Sequence, residues 1–384
     1  MNSVVEMSGA LLQVPQGEFE LVRQPRDARL QAWDAADEYL LGYIDERDLC
    51  PGPLRILILN DQFGALSVAL ADKSPYAWND SLMSQIALRN NLRLNGYPED
   101  QVRTNSGIDF PVGEVDLVLF KVPKSLALLE HQLYALRAVL HHDSLVIGAG
   151  LARHIHRSTL ERLETILGPT STTRARKKSR LIFVDRDQSL NQGQSPYPDY
   201  YQLHLGRDFE LVNHASLFSR DRLDPGTRLL LEHMPVDPEL KRIVDLGCGN
   251  GVVGIVAAEM NPTASLLFCD ESHMAVASAE QNFRNAFGRT RDAEFCVRDC
   301  LQGVESESAD LVLLNPPFHQ HHGVGDAIAW RMFKEARQVL RPGGEIRVVG
   351  NRHLGYHAKM KKLFGNCETV VGNNKFVILS ALKR

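Results

Sequence analysis

The sequence contains no hydrophobic run long enough to cross a membrane, since its longest apolar stretches, such as 54–59 and Ala309–Leu314, have only the length of a strand. Residues 1–13 lack the basic start and apolar stretch of a signal peptide. The six cysteines form no CxxC pair and no zinc-ligand spacing. These absences predict a cytoplasmic protein with reduced thiols, no membrane segment and no metal.

A strong net charge is also absent, because 43 basic residues face 47 acidic ones and the formal net charge is −4. This argues against a protein that coats nucleic acid over its whole surface. Basic residues are concentrated in the tail from Arg331 and in one cluster, which we call the basic cluster: Arg174, Arg176, Lys177, Lys178 and Arg180. Such a cluster on an acidic body suits selective contact with phosphates, and ordinary solvated side chains are the alternative.

The length of 384 residues predicts two domains. Both halves alternate short apolar strands with amphipathic stretches of helix length, which predicts an α/β fold with a parallel sheet in each half. Residues 188–201 are polar and rich in turn formers, so we place a linker at 188–212, between domains at 1–187 and 213–384. Around Gly372-Asn373-Asn374 a closing antiparallel hairpin is expected, which makes the second sheet mixed and seven-stranded.

The two halves resemble each other. Residues 55–64 align without a gap on 242–251, and 115–123 align on 309–317. In these segments the first copy keeps the apolar framework and loses the polar residues: Asp245 becomes Ile58, Gly247 becomes Asn60, Gly249 becomes Gln62, and Asn315 becomes Lys121. A duplication with one emptied site accounts for this pattern. Chance similarity between two α/β domains is the alternative.

The segment 243–254 predicts a strand, a glycine turn and a helix. Gly247 and Gly249 permit positive φ and let a ligand approach the backbone. Dinucleotide enzymes use similar glycines, so the spacing alone does not name the ligand. Asp245, at the end of the strand, would repel a pyrophosphate and would suit the cationic methionine end of S-adenosylmethionine. The sequence therefore favours this methyl donor over NAD.

Acidic residues also end the next two predicted strands. Asp270, followed by Glu271, stands where a carboxylate accepts ribose hydroxyls in nucleoside-binding folds. Asp299 ends the third strand, where it could accept from the adenine amino group. Each acid alone could be a helix cap. Three acids at successive strand ends predict a nucleoside site on the side where such sheets bind ligands.

The segment Asn315-Pro316-Pro317-Phe318 carries the predicted chemistry. The prolines hold the chain extended and remove two amide donors, which leaves the Pro316 carbonyl free to accept. With the Asn315 side chain it could hold both hydrogens of a planar amine and direct the nitrogen lone pair at a donor methyl. Phe318 offers a face for stacking a nucleobase. A strand-ending proline turn is the alternative.

The glycine segment and the Asn-Pro-Pro-Phe segment together resemble class I methyltransferases acting on exocyclic or amide nitrogens, and the phenylalanine form looks like guanine-N2 enzymes. The resemblance covers most of the chain through further segments at 33–39, 213–220, 351–354, 364–367 and 373–376. On these residues the chain is similar to the ribosomal RNA large subunit methyltransferase G family, and more distantly to small-subunit methyltransferase C.

This resemblance implies two tandem class I methyltransferase domains of Rossmann-like fold, the first inactive and the second active. It implies methylation of guanine N2 in protein-free 23S ribosomal RNA, with Phe218 in the segment that covers the donor. We also expect a monomer. We expect the basic cluster and His319 to contact RNA. The alternatives are a guanine of 16S ribosomal RNA, another nitrogen such as a protein glutamine, or a non-enzymatic RNA-binding module.

Overall fold

The structure is a computed structural model that describes residues 9–27, 30–110, 113–190, 193–205, 207–217, 220, 222–317 and 322–384. It divides into two compact units, Met1–Tyr197 and Pro198–Arg384. Among the helices of the described residues, none combines the length and the apolar character that a membrane crossing requires.

The first unit begins with a hairpin and continues as alternating helices and strands. Its strands are β1 (Ala10–Val14), β2 (Gly17–Leu21), β3 (Ile56–Leu59), β4 (Tyr76–Trp78), β5 (Arg103–Asn105), β6 (Val115–Lys121), β7 (Leu140–Leu151), β8 (Thr170–Thr172) and β9 (Ser179–Val184). Its helices are α1 (Ala35–Glu46), α2 (Ala65–Ala69), α3 (Leu82–Leu94), α4 (Leu126–Leu136) and α5 (Arg157–Ile166). Seven of these strands form one sheet in the order β5-β4-β3-β6-β7-β9-β8.

The second unit repeats this plan. Its strands are β10 (Asp199–Leu205), β11 (Arg207–Asn213), β12 (Arg242–Leu246), β13 (Ser265–Asp270), β14 (Ala293–Val297), β15 (Ala309–Leu314), β16 (Leu340–Asn351), β17 (Glu368–Gly372) and β18 (Phe376–Leu382). Its helices are α6 (Pro225–Glu232), α7 (Val252–Met260), α8 (His273–Phe287), α9 (His322–Val339) and α10 (Tyr356–Phe364). The seven-stranded sheet has the order β14-β13-β12-β15-β16-β18-β17.

Both sheets are mixed, because the first five strands are parallel and the last two form an antiparallel hairpin on the fifth. Successive residues of a strand point to opposite faces of the sheet and belong to different hydrophobic clusters. Ile243 packs with one hydrophobic cluster and Val244 with the other. Helices therefore cover both faces, as expected for parallel strands with continuous apolar runs. The predicted fold class and the seven-stranded mixed sheet are confirmed.

The internal alignment agrees with the topology. The strand order is the same in both units, with β3 matching β12 and β6 matching β15. Asp116 accepts a hydrogen bond from the backbone of Arg55 (2.7 Å), and the aligned Asp310 accepts one from Arg242 (2.8 Å). These equivalent contacts support a duplication.

The predicted linker at 188–212 contains the boundary between the units, but its residues from 199 to 205 and from 207 to 212 belong to strands. Strands β10 and β11 pair in register over their whole length. Leu203, Phe209 and Leu211 are buried in the core of the second unit. The hairpin thus follows the period-two alternation of apolar residues, which outweighs the polar composition of the stretch before it.

Candidate active site

Parallel register brings three strand ends of the second unit together. In the sheet Leu246 lies opposite Cys269 on one side and opposite Leu314 on the other. The residues that follow these positions, Gly247, Asp270 and Asn315, therefore share the carboxyl edge of the sheet, where such folds bind ligands.

The glycine turn is anchored on β13. The backbone N–H groups of Gly247 and Cys248 both donate to the carbonyl of Cys269, at 2.8 and 3.0 Å. Gly247 and Gly249 have φ of +71° and +54°, in the left-handed region that favours glycine. A Cβ on Gly249 would meet no described atom within 4 Å, whereas one on Gly251 would lie 2.9 Å from the Cα of Ala279. Gly249 thus faces open space for a ligand, and Gly251 permits helix packing.

Asp270 links β13 to this turn. One of its carboxylate oxygens accepts from the Gly249 backbone (3.0 Å), and the other accepts from the Ser272 backbone (3.1 Å). The exposed Glu271 follows it directly. The carboxylate is therefore held next to the open side of the glycine turn, at the place predicted for a ribose contact.

Asp245 is buried below the surface of the site. The residue is only 2% exposed, and its carboxylate accepts a hydrogen bond from the Gly254 backbone at 2.8 Å. Burial raises the pKa of the Asp245 carboxyl to about 8, and the charge of Asp270 acts in the same direction. Asp245 is thus a buried acid whose ionised form a nearby cation would stabilise.

Asp299 already has a protein partner, because its carboxylate pairs with Arg331 on α9. Arg331 also lies 3.3 Å from Glu335, whose other oxygen accepts from the Leu301 backbone (2.8 Å). The contacts seen for Asp299 are therefore those of an ion-pair network around the end of β14. Its contact with adenine stays a prediction.

Asn315 follows β15 and has one of its two polar atoms engaged. Its side-chain N–H donates to the Thr227 hydroxyl (2.9 Å) on α6. Its side-chain oxygen Oδ1 is buried and has no hydrogen-bond partner among the described residues. A buried acceptor without a donor is costly, and at the carboxyl edge of such a sheet a ligand group or an ordered water can supply the missing donor. Pro316 beside it is buried.

Several predicted site residues cannot be placed in this geometry. Phe318, His319 and Phe218 lie outside the described residues. Their predicted roles in stacking the base, contacting RNA and covering the donor stay predictions.

The sequence analysis did not single out Asp224 and Thr227, which join the start of α6 to Asn315 through hydrogen bonds. Asp224 is the N-cap of α6, and its carboxylate accepts from the Thr227 backbone at 3.0 Å. The sequence carried a signal for this cap, because Asp224 precedes a proline at the first helical position. It carried no signal that the helix start reaches the end of β15.

Four residues of the basic cluster lie in the turn between β8 and β9, and Arg180 lies at the start of β9. All five residues are exposed. Lys177 pairs with Glu38 of α1 at 2.9 Å, and Arg176 lies 3.6 Å from Glu46 of the same helix. Exposed ion pairs are weak, so these two cations can exchange their carboxylates for phosphates.

In the first unit, the position that matches Asn315 holds an ion cluster. The Lys121 ammonium group lies 2.8 Å from a carboxylate oxygen of Asp34 and 2.8 Å from one of Asp37. Asn60, in the place of Gly247, donates to the Lys121 carbonyl (3.1 Å) and exchanges hydrogen bonds with Gln132. Polar side chains of the unit itself occupy this strand end.

Little space is left near the matching glycine turn. Asp61 lies in this turn, and its carboxylate accepts hydrogen bonds from both the backbone N–H and the hydroxyl of Ser67, at 2.8 and 2.7 Å. A cavity there has a volume of about 10 Å³ and is lined by Ile58, Asp61, Trp78 and Asn79 among others. This is room for about one water molecule and not for a nucleoside. In the part of the chain that the structure describes, the matching site is closed.

Comparison with known proteins agrees with the two-unit division. A family model described as "RLMG N-terminal domain" matches residues 10–188, and one described as "Methyltransferase small domain" matches residues 208–380. The chain is 50% identical to "Ribosomal RNA large subunit methyltransferase G" of Streptomyces coelicolor, over 96% of the chain and 99% of that protein. A protein of the same name from Yersinia enterocolitica is 49% identical, over 95% and 92% of the two chains.

The chain belongs to the ribosomal RNA large subunit methyltransferase G family. The predicted family and the prediction of a methyltransferase are thereby confirmed. Among solved structures, the "16S rRNA N2 G1207 methyltransferase (RsmC)" of T. Thermophilus, in complex with AdoMet and guanosine, superposes with a TM-score of 0.77. The superposition covers 98% of each of the two chains, at 22% sequence identity, and shows that they share the tandem fold.

The acid of the glycine motif gives a pH-dependent prediction for this family member. Because the Asp245 pKa is about 8 in the folded protein and about 3.9 in an unfolded chain, the folded state keeps a proton that the unfolded state releases. Stability from this group therefore falls as the pH rises from about 4 to about 8. Asp245→Asn keeps an oxygen acceptor for Gly254 and cannot ionise. We expect its unfolding midpoint at pH 8.5 to exceed that of the wild type by roughly 2–6 °C.

Differential scanning calorimetry at several pH values measures this difference, which should shrink steadily towards pH 4. Asp292→Asn removes an exposed carboxylate and is the matched control, with little change expected at any pH. An Asp245→Asn variant that is less stable than wild type at pH 8.5 contradicts the assignment of a buried, proton-holding carboxyl.

Proposed function

We propose that the second unit transfers the methyl group of S-adenosylmethionine to N2 of one guanine in 23S ribosomal RNA. The proposal rests on the buried Oδ1 of Asn315 at the end of β15, which has no hydrogen-bond partner among the described residues. It lies at the same sheet edge as a glycine turn with open space. The names of relatives that are about 50% identical over nearly the whole chain support the choice of RNA.

The residues at the sheet edge fit the donor. Gly247 and Gly249 would let its methionine part lie against the backbone, with the Asp245 carboxylate stabilising its positive charge. Asp270, with Glu271 beside it, would accept from the ribose hydroxyls, and Asp299 would accept from adenine. When bound, the donor supplies a methyl group made electrophilic by the sulfonium charge.

The chain's own contribution to the reaction is to orient the amine. The Asn315 side-chain oxygen and the Pro316 carbonyl would each accept one hydrogen of guanine N2, and Phe318 would stack on the base. This places the nitrogen lone pair towards the methyl group, so that positioning lowers the barrier. The nitrogen would bond to the methyl carbon as the carbon–sulfur bond of the donor breaks and the thioether leaves. The amine, now cationic and acidic, would release its proton to water, so the reaction requires no strong general base.

The test uses protein-free 23S and 16S ribosomal RNA with labelled donor, and nucleoside mass spectrometry of the product. We expect N2-methylguanosine at one position of 23S RNA. Asn315→Ala should lower turnover by about 100-fold, as for the removal of one pre-organised polar group, and should leave donor affinity unchanged. Asn285→Ala, at an exposed position on α8, is the matched control and should retain full turnover.

Three results distinguish the alternatives. Methylation of 16S RNA would make the chain a small-subunit enzyme. Methylation of protein but not RNA would favour a glutamine or other amide as substrate. Wild-type turnover in Asn315→Ala would remove this residue from the reaction.

The first unit is proposed to recognise RNA. Its closed site leaves it without a visible role in donor binding, whereas the basic cluster offers five exposed cations. We also propose that the enzyme acts as a monomer, since the proposed donor and amine contacts all come from one chain. We propose that it acts in the cytoplasm, because the names of its relatives support ribosomal RNA as the substrate.

Opposite changes of charge test the basic cluster. Replacing its five residues with alanine should weaken RNA binding. The slope of the logarithm of the binding constant against the logarithm of the salt concentration should become shallower by close to one for each phosphate that the variant no longer binds. Replacing Glu38 and Glu46 with glutamine should strengthen binding, because it releases Lys177 and Arg176 from their partners. Filter binding at three salt concentrations measures both, and donor affinity is the control. Salt plots parallel to that of the wild type for both variants would contradict the role.

A further inference from the structure

The Asn315 amide is joined to the start of α6 by a chain of hydrogen bonds. Its Nδ2 donates to the Thr227 hydroxyl at 2.9 Å, and Thr227 is only 7% exposed. The same hydroxyl lies 3.5 Å from a carboxylate oxygen of Asp224, a long contact in which the hydroxyl can only be the donor. That oxygen also accepts from the Thr227 backbone at 3.0 Å, so the cap of the helix and the hydroxyl share one acceptor.

The direction of these bonds determines which way the amide faces. A carboxylate accepts, so the single hydroxyl hydrogen of Thr227 is directed at Asp224. Only lone pairs then remain on the hydroxyl for Asn315, and the asparagine must turn its NH2 group towards them. Its Oδ1 consequently faces away from Thr227 and stays available as a buried acceptor.

This orientation matters because the two ends of an amide have nearly the same shape and opposite hydrogen-bonding character. An Asn315 amide that is free to turn would present its own NH2 group to the amine of a base for part of the time. Two donors facing each other cannot hold the amine, and productive positioning would be absent in that fraction.

In the first unit, a helix start also contacts the matching strand end, but through carboxylates and a lysine in place of a hydroxyl and an amide. Asp34 caps α1 as Asp224 caps α6, and Asp37 stands three residues after its cap as Thr227 does. Asp34 and Asp37 there hold Lys121, the counterpart of Asn315, at 2.8 Å. The contact between helix start and strand end is thus common to both units. A hydroxyl that can orient an amide is present only in the unit whose site is open.

We propose that Thr227 is a positioning residue, which directs the Asn315 acceptor towards the guanine amine through the order Asp224, Thr227, Asn315. This inference rests on the proposed function of the second unit. It adds that the reaction depends on the hydroxyl of Thr227, whose described side-chain contacts are with Asn315 and Asp224.

The variants Thr227→Val and Thr227→Ser separate the hydroxyl from the shape of the side chain. Valine keeps the volume and removes the hydroxyl, so we expect kcat on 23S RNA to fall by about 10- to 50-fold, less than for removing Asn315 itself. The KM for RNA and the donor affinity should stay within about twofold of wild type. Serine restores the hydroxyl and should keep kcat within about threefold of wild type.

A double variant excludes a merely structural effect. In the Asn315→Ala background there is no amide to orient, so Thr227→Val should lower kcat by less than about twofold further. Equal fold losses in both backgrounds would overturn the proposal. So would wild-type kcat in Thr227→Val, or a serine variant as slow as the valine variant.

A readout independent of turnover keeps the test valid if the substrate assignment fails. In protein with ¹⁵N-labelled asparagine, the Asn315 side-chain NH2 signal should show one hydrogen-bonded proton in wild type and in Thr227→Ser. That signature should disappear in Thr227→Val. Its persistence in Thr227→Val overturns the positioning role, whereas failure of wild-type protein to form N2-methylguanosine overturns the proposed function instead.

Discussion

The candidate site at the carboxyl edge of the second sheet depends on the register of β12 with its neighbours β13 and β15. Because the three strands are parallel and in step, the glycine turn, Asp270 and Asn315 all leave the sheet at one level. A slip of one residue in a strand would exchange its two faces and turn Asp245 out of its contact with Gly254. The apolar strand residues thus determine where each polar group lies.

The first unit shows that this framework does not require an open site. It keeps the strand order and the contact between helix start and strand end, while Lys121 and two carboxylates occupy the end of β6. The charges of Asp37 and Asp34 raise the pKa of Lys121 in spite of its burial, so the lysine stays charged. This paired charge occupies the strand end at which the second unit has Asn315.

Much of this arrangement could be predicted from the sequence, because strand patterns and glycine turns are local. The strands around Asp245 and Asn315, the closing hairpin and the correspondence between the halves were all visible in it. The hairpin at 199–213 was missed although its apolar alternation was present, because the polar segment before it dominated the composition. Long-range contacts left no local signal: the pairing of Asp299 with Arg331 and the bond from Asn315 to Thr227 both depend on how separate elements pack.

One fold occurs twice in this chain, and we propose that only the second copy binds the methyl donor. Titration calorimetry of the whole chain with S-adenosylmethionine tests this proposal. We expect one bound donor per chain, and no binding in Gly249→Val, whose side chain would enter the open face of the turn at a φ of +54°. Two donors per chain, or binding that survives Gly249→Val, would contradict it.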